Sequence, residues 1–515
     1  MGIENGSRRY DIISTVLPSA RESLPPVLSV PEIRSMKAFT LKNLFFAILA
    51  GFCLAGLPVA AQSDPQKSEQ SSGGGRPMFQ NIQVQRDTSA DANSQLVKKT
   101  GSSTIRTDTG APSTPPLNAV KTSFPILAAT AIPGYSGVLV ESLEGSVVVE
   151  SAADVPFNPA SNVKIATTYA VLKTFGPEYR FPTSVWTDGS YEEATGTIHG
   201  NVYVSGRDPV FGYDHAVAIA SELNRIGIRN VQGDLVVTDN FTMAYSSSPQ
   251  TSGRAFFASL DSAKRSATAN RAWENYLIAS GKLNKTSGAP SVTFSGDVYV
   301  QPMPTNAKLL FTHESAPLRD IIKAMMCFSN NFVAERLGDL LGGPFAVARI
   351  VQQNAGVLPS EFSIQTSNGL GINRVTPRAM MKLLRTLRSD LGRYRMTFAD
   401  IMPVAGMDKG TLENRFDTDF SAGSVIGKTG TLGRTDGGAS ALAGEINTRN
   451  GILLFVIFNQ HGATARFRSF QNNYISLIQG QLGGPAPIAY TPRSLESRLA
   501  QTRFSYPAQG SIGNE

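Results

Sequence analysis

Three strand candidates crowd the C-terminal end of this 515-residue chain, at 424–431, 438–446 and 452–459, while a hairpin candidate opens its globular part at 136–150. A sheet built from both ends of a chain brings those ends together, and the helices between them must pack on its faces. The hairpin is marked by Val138-Leu139-Val140 and Val147-Val148-Val149 around a Leu-Glu-Gly turn. The last two strands flank 447–451, where Asn450-Gly451 is a hairpin signal. Helical spacing is expected at 161–175, at 215–225, as one or two helices at 318–341, and at 464–481, where Phe467, Phe470, Tyr474 and Leu477 share a stripe. Further strands are expected at 200–204, at 233–237 and along the alternating run 292–300. This order makes the fold class α+β.

The two ends read differently. Lys37 and Lys42 precede an apolar run, 44–57, and Pro58-Val59-Ala60-Ala61 follows with small residues. That is the layout of an export signal cut after Ala61, and the run is short for a membrane span. The 35 residues before Met36 fit no signal, so Met36 is the expected start of translation. Phe52 directly before Cys53 argues against a lipid-attachment site. Residues 62–123 are rich in Ser, Gly, Gln, Asp and Thr, without apolar period, and read as a disordered linker. The stretch after Gly484, with Pro485, Pro487, Pro492 and Pro507, has little structural signal. Cys327 is the only cysteine beyond the signal and reads as a small buried side chain. Lys and Arg total 47 against 40 Asp and Glu, dispersed without a basic run. That argues against nucleic acid and suits an anionic polymer or a carboxylate substrate.

A serine hydroxyl is a poor nucleophile until a neighbouring base takes its proton. Ser161 and Lys164 are three residues apart on an expected helix, hence on one face. Lys164 serves as a base only if burial or nearby cations lower its pKa. Alone, the pair is as well explained by an N-capping serine and a solvated lysine. Two later elements add weight. Ser329-Asn330-Asn331 precedes the helical run 332–337, where hydroxyl and amide can project into a cleft. Lys428-Thr429-Gly430-Thr431 lies on an expected strand: the lysine offers a charge to a carboxylate, and the glycine allows close backbone approach. A second Lys-Thr-Gly, at 99–101, lacks a strand context and the right order.

Ser-x-x-Lys, Ser-x-Asn and Lys-Thr-Gly in this order are the three motifs of penicillin-binding proteins and class A β-lactamases. Pro159-Ala160-Ser161-Asn162-Val163-Lys164 resembles, more narrowly, the D-alanyl-D-alanine carboxypeptidase/endopeptidase group, peptidase family S13, the class C low-molecular-mass penicillin-binding proteins. The similarity continues through 233–237, 329–332, 375–377, 403–406 and 410–412 to Gly427-Lys428-Thr429-Gly430-Thr431, covering about 124–480. The resemblance implies a β-lactamase/transpeptidase-like domain, an antiparallel sheet with flanking helices, interrupted by a smaller strand-rich insertion. The expected division is 1–61 extension and export signal, 62–123 linker, 124–180 and 310–484 the two parts of that domain, 181–309 the insertion, and 485–515 a tail.

Residue roles follow from the resemblance. Ser161 is the nucleophile and Lys164 its base; Ser329 relays a proton to the leaving amine; Asn331 holds the substrate amide and Lys164. Lys428, Thr429, Gly430 and Thr431 bind the substrate, with a carboxylate at Lys428 and Thr429 and an oxyanion hole from the N–H groups of Ser161 and Thr431. The implied partners are a peptidoglycan stem peptide ending in D-Ala-D-Ala and β-lactams, in the periplasm, with no cofactor or metal. Where relatives carry Gly-Ser-Gly-Leu-Ser-Arg, this chain has 367–372 without the basic residue, although Arg374 is near. Arg207 replaces a glycine of the relatives' Gly-Gly-Asp-Pro stretch. A β-lactamase would need a deacylation base, and Glu361 and Glu413 lack its motif context. A non-catalytic wall-binding protein would not need the intact trio. His199, His215, His313 and His461 have neither metal-ligand spacing nor a Gly-x-Ser-x-Gly partner.

Overall fold

The structure is a computed structural model that describes residues 119–283 and 288–507. The expected export signal and nearly all of the expected linker lie outside the described residues. The fold is α+β, as expected. Its main sheet is antiparallel and runs, edge to edge, Lys121–Thr122, Val147–Ser151, Tyr135–Ser142, Gly451–Gln460, Ala439–Thr448, Val425–Leu432. Chain-terminal strands thus meet at the centre: Val456 lies opposite Leu139 and Ile457 opposite Val138.

Alternation along these strands divides the apolar side chains between two layers. Leu139, Val456 and Phe458 face the larger core, built with helices Val163–Phe175, Leu318–Phe328, Asn331–Asp339 and Pro377–Arg393. Val138, Phe455 and Ile457 face helix Thr464–Gln481 through Tyr474, Ile475 and Ile478. Residues 163–172 of the central helix are buried on every side. A helix apolar all round belongs inside, and this is why its one lysine near the N-terminus, Lys164, is fully buried.

A second core lies between Val185 and Phe311, with Val204, Ile219, Leu223 and Phe256. It has a four-stranded and a six-stranded mixed sheet, crossed by helices Tyr213–Arg225, Pro249–Leu260 and Ala267–Ala279.

Several expectations need correction. The run 292–300 is not one strand but two, Thr293–Phe294 and Val298–Val300, which enter different sheets on either side of a bend at 295–297. The alternation was real, but Gly296 sits against the Gly233 carbonyl and turns the chain. The last hairpin pairs Thr448 with Gly451, so Arg449-Asn450 form its two-residue turn. Lys121–Thr122, assigned to the linker, pair with Val149 and Glu150. The stretch after Gly484 carries helix Leu495–Leu499 and strand Arg503–Ser505, which extends the six-stranded mixed sheet beside Lys308–Glu314. Arg498 there makes a buried ion pair with Asp320, at 2.7 Å. His215 and His313 are buried with ring centroids 5.1 Å apart. Cys327 is buried and free, and burial pushes its thiol up to about 12.

Candidate active site

Ser161 sits in a 3-10 turn, Ala160–Asn162, that leads directly into the central helix. Ala160 takes φ 47°, a left-handed conformation that alanine adopts at a cost and that sets the entry of the nucleophile. One turn on, Lys164 Nζ lies 3.0 Å from Ser161 Oγ, 2.7 Å from Asn331 Oδ1 and 2.6 Å from the Asn368 carbonyl. Burial lowers the Lys164 pKa from 10.5 to about 7, against the opposing field of Glu335. All three partners are oxygens to which Lys164 Nζ donates; once neutral, the amine keeps two N–H bonds, to Asn331 and Asn368, and has its lone pair free to accept from the serine hydroxyl.

Ser329 is the left-handed C-cap of helix Leu318–Phe328, at φ 54°. Asn330 then caps the next helix by accepting from Val333 N–H at 3.0 Å. This break between two helices aims Ser329 and Asn331 together at the cleft. Asn331 Oδ1 is engaged by Lys164, which leaves its Nδ2 facing outward.

Strand Val425–Leu432 is the edge of the main sheet beside the nucleophile. Thr429 and Thr431 line the cleft. Lys428 is behind the wall rather than on it: fully buried, its Nζ donates to Ser329 Oγ at 2.9 Å and to the Thr429 carbonyl at 2.7 Å. Burial, then the proximity of Lys164, hold it well below the usual lysine range. The direct charge contact expected of Lys428 is therefore replaced by support of Ser329. Gly430 also has a different reason from close substrate approach. A Cβ there would meet the Pro159 carbonyl at 2.8 Å and Ala160 Cβ at 3.0 Å, so glycine lets the strand pack under the nucleophile's turn.

The cleft encloses about 600 Å³ and is lined by Ser161, Ser329, Asn331, Leu370, Gly410, Thr411, Asn414, Arg415, Thr429, Thr431, Arg468, Ser469 and Asn472. No acidic side chain is among them. Glu361 accepts from Leu358 N–H, away from the lining, and Glu413 accepts from the N–H of the lining residue Gly410 at 3.4 Å without lining the cleft itself. Arg374, the nearest basic residue to the altered 367–372 stretch, is committed to a two-pronged pair with Asp436 at 2.8 and 3.0 Å.

The sequence reading missed five contributors. Asn368 acts through its backbone carbonyl, which no side-chain motif reveals. Gly369 beside it has φ 89°, and a Cβ there would lie 2.0 Å from the Ala160 carbonyl. Arg415 and Arg468 arrive from distant segments, with no spacing to mark them. Glu335 had a usable signal: it follows Asn331 by four residues and so shares its helix face.

The D-Ala-D-Ala carboxypeptidase 3 (S13) family model matches residues 126–264 and 258–475. A D-alanyl-D-alanine carboxypeptidase of Actinomadura sp. strain R39 is 26% identical over 420 residues, covering 62% of this chain and 77% of its own. The D-alanyl-D-alanine carboxypeptidase DacB of Haemophilus influenzae is 22% identical over 430 residues, covering 66% and 85%. Among solved structures, a penicillin G-acylated predatory endopeptidase from Bdellovibrio bacteriovorus, in complex with an immunity protein, superposes with a TM-score of 0.59 at 24% identity. It covers 70% of this chain and 95% of its own, a likeness of fold. Together with the serine, the buried lysine and the edge strand that meet in one cleft, the match over most of the globular region shows that the chain belongs to the D-Ala-D-Ala carboxypeptidase 3 (S13) family, whose members are serine peptidases.

Proposed function

We propose that the protein hydrolyses peptidoglycan stem peptides ending in D-Ala-D-Ala, as carboxypeptidase and endopeptidase, through an acyl-enzyme on Ser161. The observation that carries this reading is the 3.0 Å contact of Ser161 Oγ with a buried lysine whose pKa is about 7. Lys164 takes the serine proton as Oγ bonds to the carbonyl carbon of the penultimate D-Ala. The C–N bond then breaks, and the proton reaches the leaving amine through Ser329, whose hydroxyl is oriented by Lys428. Asn331 Nδ2 holds the substrate's amide carbonyl. The edge strand at Thr429 and Thr431 pairs with the extended peptide, and the N–H groups of Ser161 and Thr431 receive the oxyanion, whose loss would cost about 3 kcal/mol. Water attacks the ester and frees the shortened peptide.

β-Lactams enter the same route and form acyl-enzymes on Ser161, and no carboxylate of the kind that class A β-lactamases use for deacylation is among the lining residues. The penicillin-acylated relative supports this, and the lack of a carboxylate among the lining residues favours the peptidase over a class A β-lactamase. The reading includes export to the periplasm with cleavage after Ala61. It also includes an inserted domain at 181–309, supported by its separate core.

The test is incubation of residues 62–515 with a fluorescent penicillin, then with a D-Ala-D-Ala pentapeptide and a crosslinked dimer. Stable label on Ser161 and release of D-Ala are expected. Absence of label, or turnover of the penicillin within about a second, well inside ordinary enzyme turnover, would sink the proposal.

A further inference from the structure

Ala160, directly before the nucleophile, holds φ 47°, a costly conformation that persists only where its surroundings over-determine it. The hydrogen bonds around it supply that constraint. Ala160 N–H donates to Asn158 Oδ1 at 3.0 Å and closes a turn over Pro159. Asn158 is fully buried, and its Nδ2 donates to the Gly371 carbonyl at 2.9 Å and to Asp436 Oδ2 at 2.7 Å. Its backbone N–H donates to Gln460 Oε1 at 3.1 Å. The amide has one orientation, because reversing it would set oxygen against oxygen and N–H against N–H. Asp436 is itself left-handed, at φ 51°, in the short turn Thr435–Gly437 that joins the edge strand to Ala439–Thr448. Its carboxylate also takes both prongs of Arg374. Burial pushes its pKa up, but the hydrogen bonds from Arg374 and Asn158, with the fields of Arg374 and His461, bring it below the ordinary carboxylate value.

We propose that Asp436 is a positioning residue: through Asn158 it fixes both the turn that presents Ser161 and the loop that presents the Asn368 carbonyl to Lys164. The consequence for catalysis rests on the acyl-enzyme reading above. The Asn158 amide joins the two segments. Its oxygen holds Ala160 N–H, next to Ser161, and its nitrogen holds the Gly371 carbonyl, in the loop that carries Asn368. Gly369 packs directly on the Ala160 carbonyl, so turn and loop move together. Lys164 Nζ reaches Ser161 Oγ on one segment and the Asn368 carbonyl on the other. A shift of either parts the base from the nucleophile or strips it of an acceptor that favours its charged form. A carboxylate holds the Asn158 amide more firmly than a neutral acceptor does. Asp436 is not among the residues lining the cleft, so its influence passes through Asn158.

The experiment compares the 62–515 protein with Asp436→Ala, Asn158→Ala, the double variant and Asp436→Asn, each checked for folding by circular dichroism and thermal melting. Stopped-flow reaction with a fluorescent penicillin separates the non-covalent Kd from the acylation rate constant. Carbon NMR titration of the Lys164 ε-carbon, assigned by its loss in Lys164→Met, reads the base without any substrate. Each Ala variant should slow acylation by roughly tenfold to a hundredfold, with the non-covalent Kd within about twofold of the wild type. Each should also move the Lys164 midpoint to lower pH, as the Asn368 carbonyl withdraws. Asn158→Ala alters no charge, so its shift is not a field effect, and Glu335 and Lys428, the charged groups that act on Lys164, stay in place throughout. The double variant should fall within about twofold of the slower single one, because both break the same chain of contacts. Asp436→Asn keeps an acceptor for Asn158 and should recover part of the rate; with Asn158→Ala it carries the test if Asp436→Ala does not fold. Folded variants with unchanged acylation and an unchanged Lys164 midpoint overturn the positioning role, as do effects that multiply in the double variant. A wild type that takes no penicillin label and cleaves no D-Ala-D-Ala peptide, while the Lys164 midpoint still falls in Asn158→Ala, overturns the hydrolase reading and leaves the positioning role standing.

Discussion

If Lys164 accepts the serine proton, acylation must track the fraction of this lysine that is neutral. With its pKa at about 7, that fraction is about one tenth at pH 6, one half at pH 7 and nine tenths at pH 8. A lysine at the ordinary value would be neutral in only about one molecule in three thousand at pH 7, so burial raises the reactive population roughly 1,500-fold. Because Lys428 feels Lys164, the inflection belongs to the coupled pair. The assay is stopped-flow acylation by a fluorescent penicillin from about pH 5 to about pH 10, where the second-order rate constant should rise and then level off. Glu335→Gln supplies the perturbation. Its carboxylate raises the Lys164 pKa, so its removal should move the inflection to lower pH. A rate still climbing log-linearly beyond about pH 8 would refute the buried-base argument, as would an upward move of the inflection in Glu335→Gln. Stability carries the same signature. Above about pH 7 the unfolded chain keeps a proton that folded Lys164 has lost, so this group makes stability rise with pH up to about 10.5 and stay lowest below the folded pKa. Lys164→Met should flatten that dependence and raise the unfolding midpoint at low pH while abolishing acylation.

Elsewhere, Lys323 is fully buried, with Asp408 at 2.6 Å and the Ala399 and Met402 carbonyls as its other partners. Lys323→Met should cost about 3–5 kcal/mol in denaturant unfolding by stranding Asp408, and a loss under about 1 kcal/mol would contradict the pairing. Gly369→Ala cannot keep its place against the Ala160 carbonyl; the loop should shift, withdraw Asn368 from Lys164 and slow acylation by roughly a hundredfold, measured with the same penicillin. Asn330→Ala removes the cap on Val333 N–H and should cost about 1 kcal/mol by calorimetry; an unchanged midpoint would show that the cap is dispensable.

How much was legible beforehand differs from element to element. Helix 464–481 and the terminal strands were read within a residue or two, because each is strongly periodic and closed by local signals such as Asn450-Gly451. The run 292–300 misled because alternation records which side chains alternate, not which sheet each half joins. Strand Arg503–Ser505 was invisible, being three residues long and held by pairing with residues nearly two hundred positions away.

The sequence by itself determined the α+β class, the meeting of both chain ends in one sheet, and the order Ser161-x-x-Lys164, Ser329-x-Asn331, Lys428-Thr429-Gly430. Those are local patterns, and local patterns survive in a string of letters. Only the tertiary structure decided the electrostatics. Lys164 becomes a base because the helix that carries it is buried on all sides, and Lys428 sinks behind the wall to hold Ser329. Arg415 and Arg468, from segments the motifs do not mark, then bring the cleft its charge. Burial and the approach of distant charges are properties of the folded chain in three dimensions, and no spacing in the sequence encodes them.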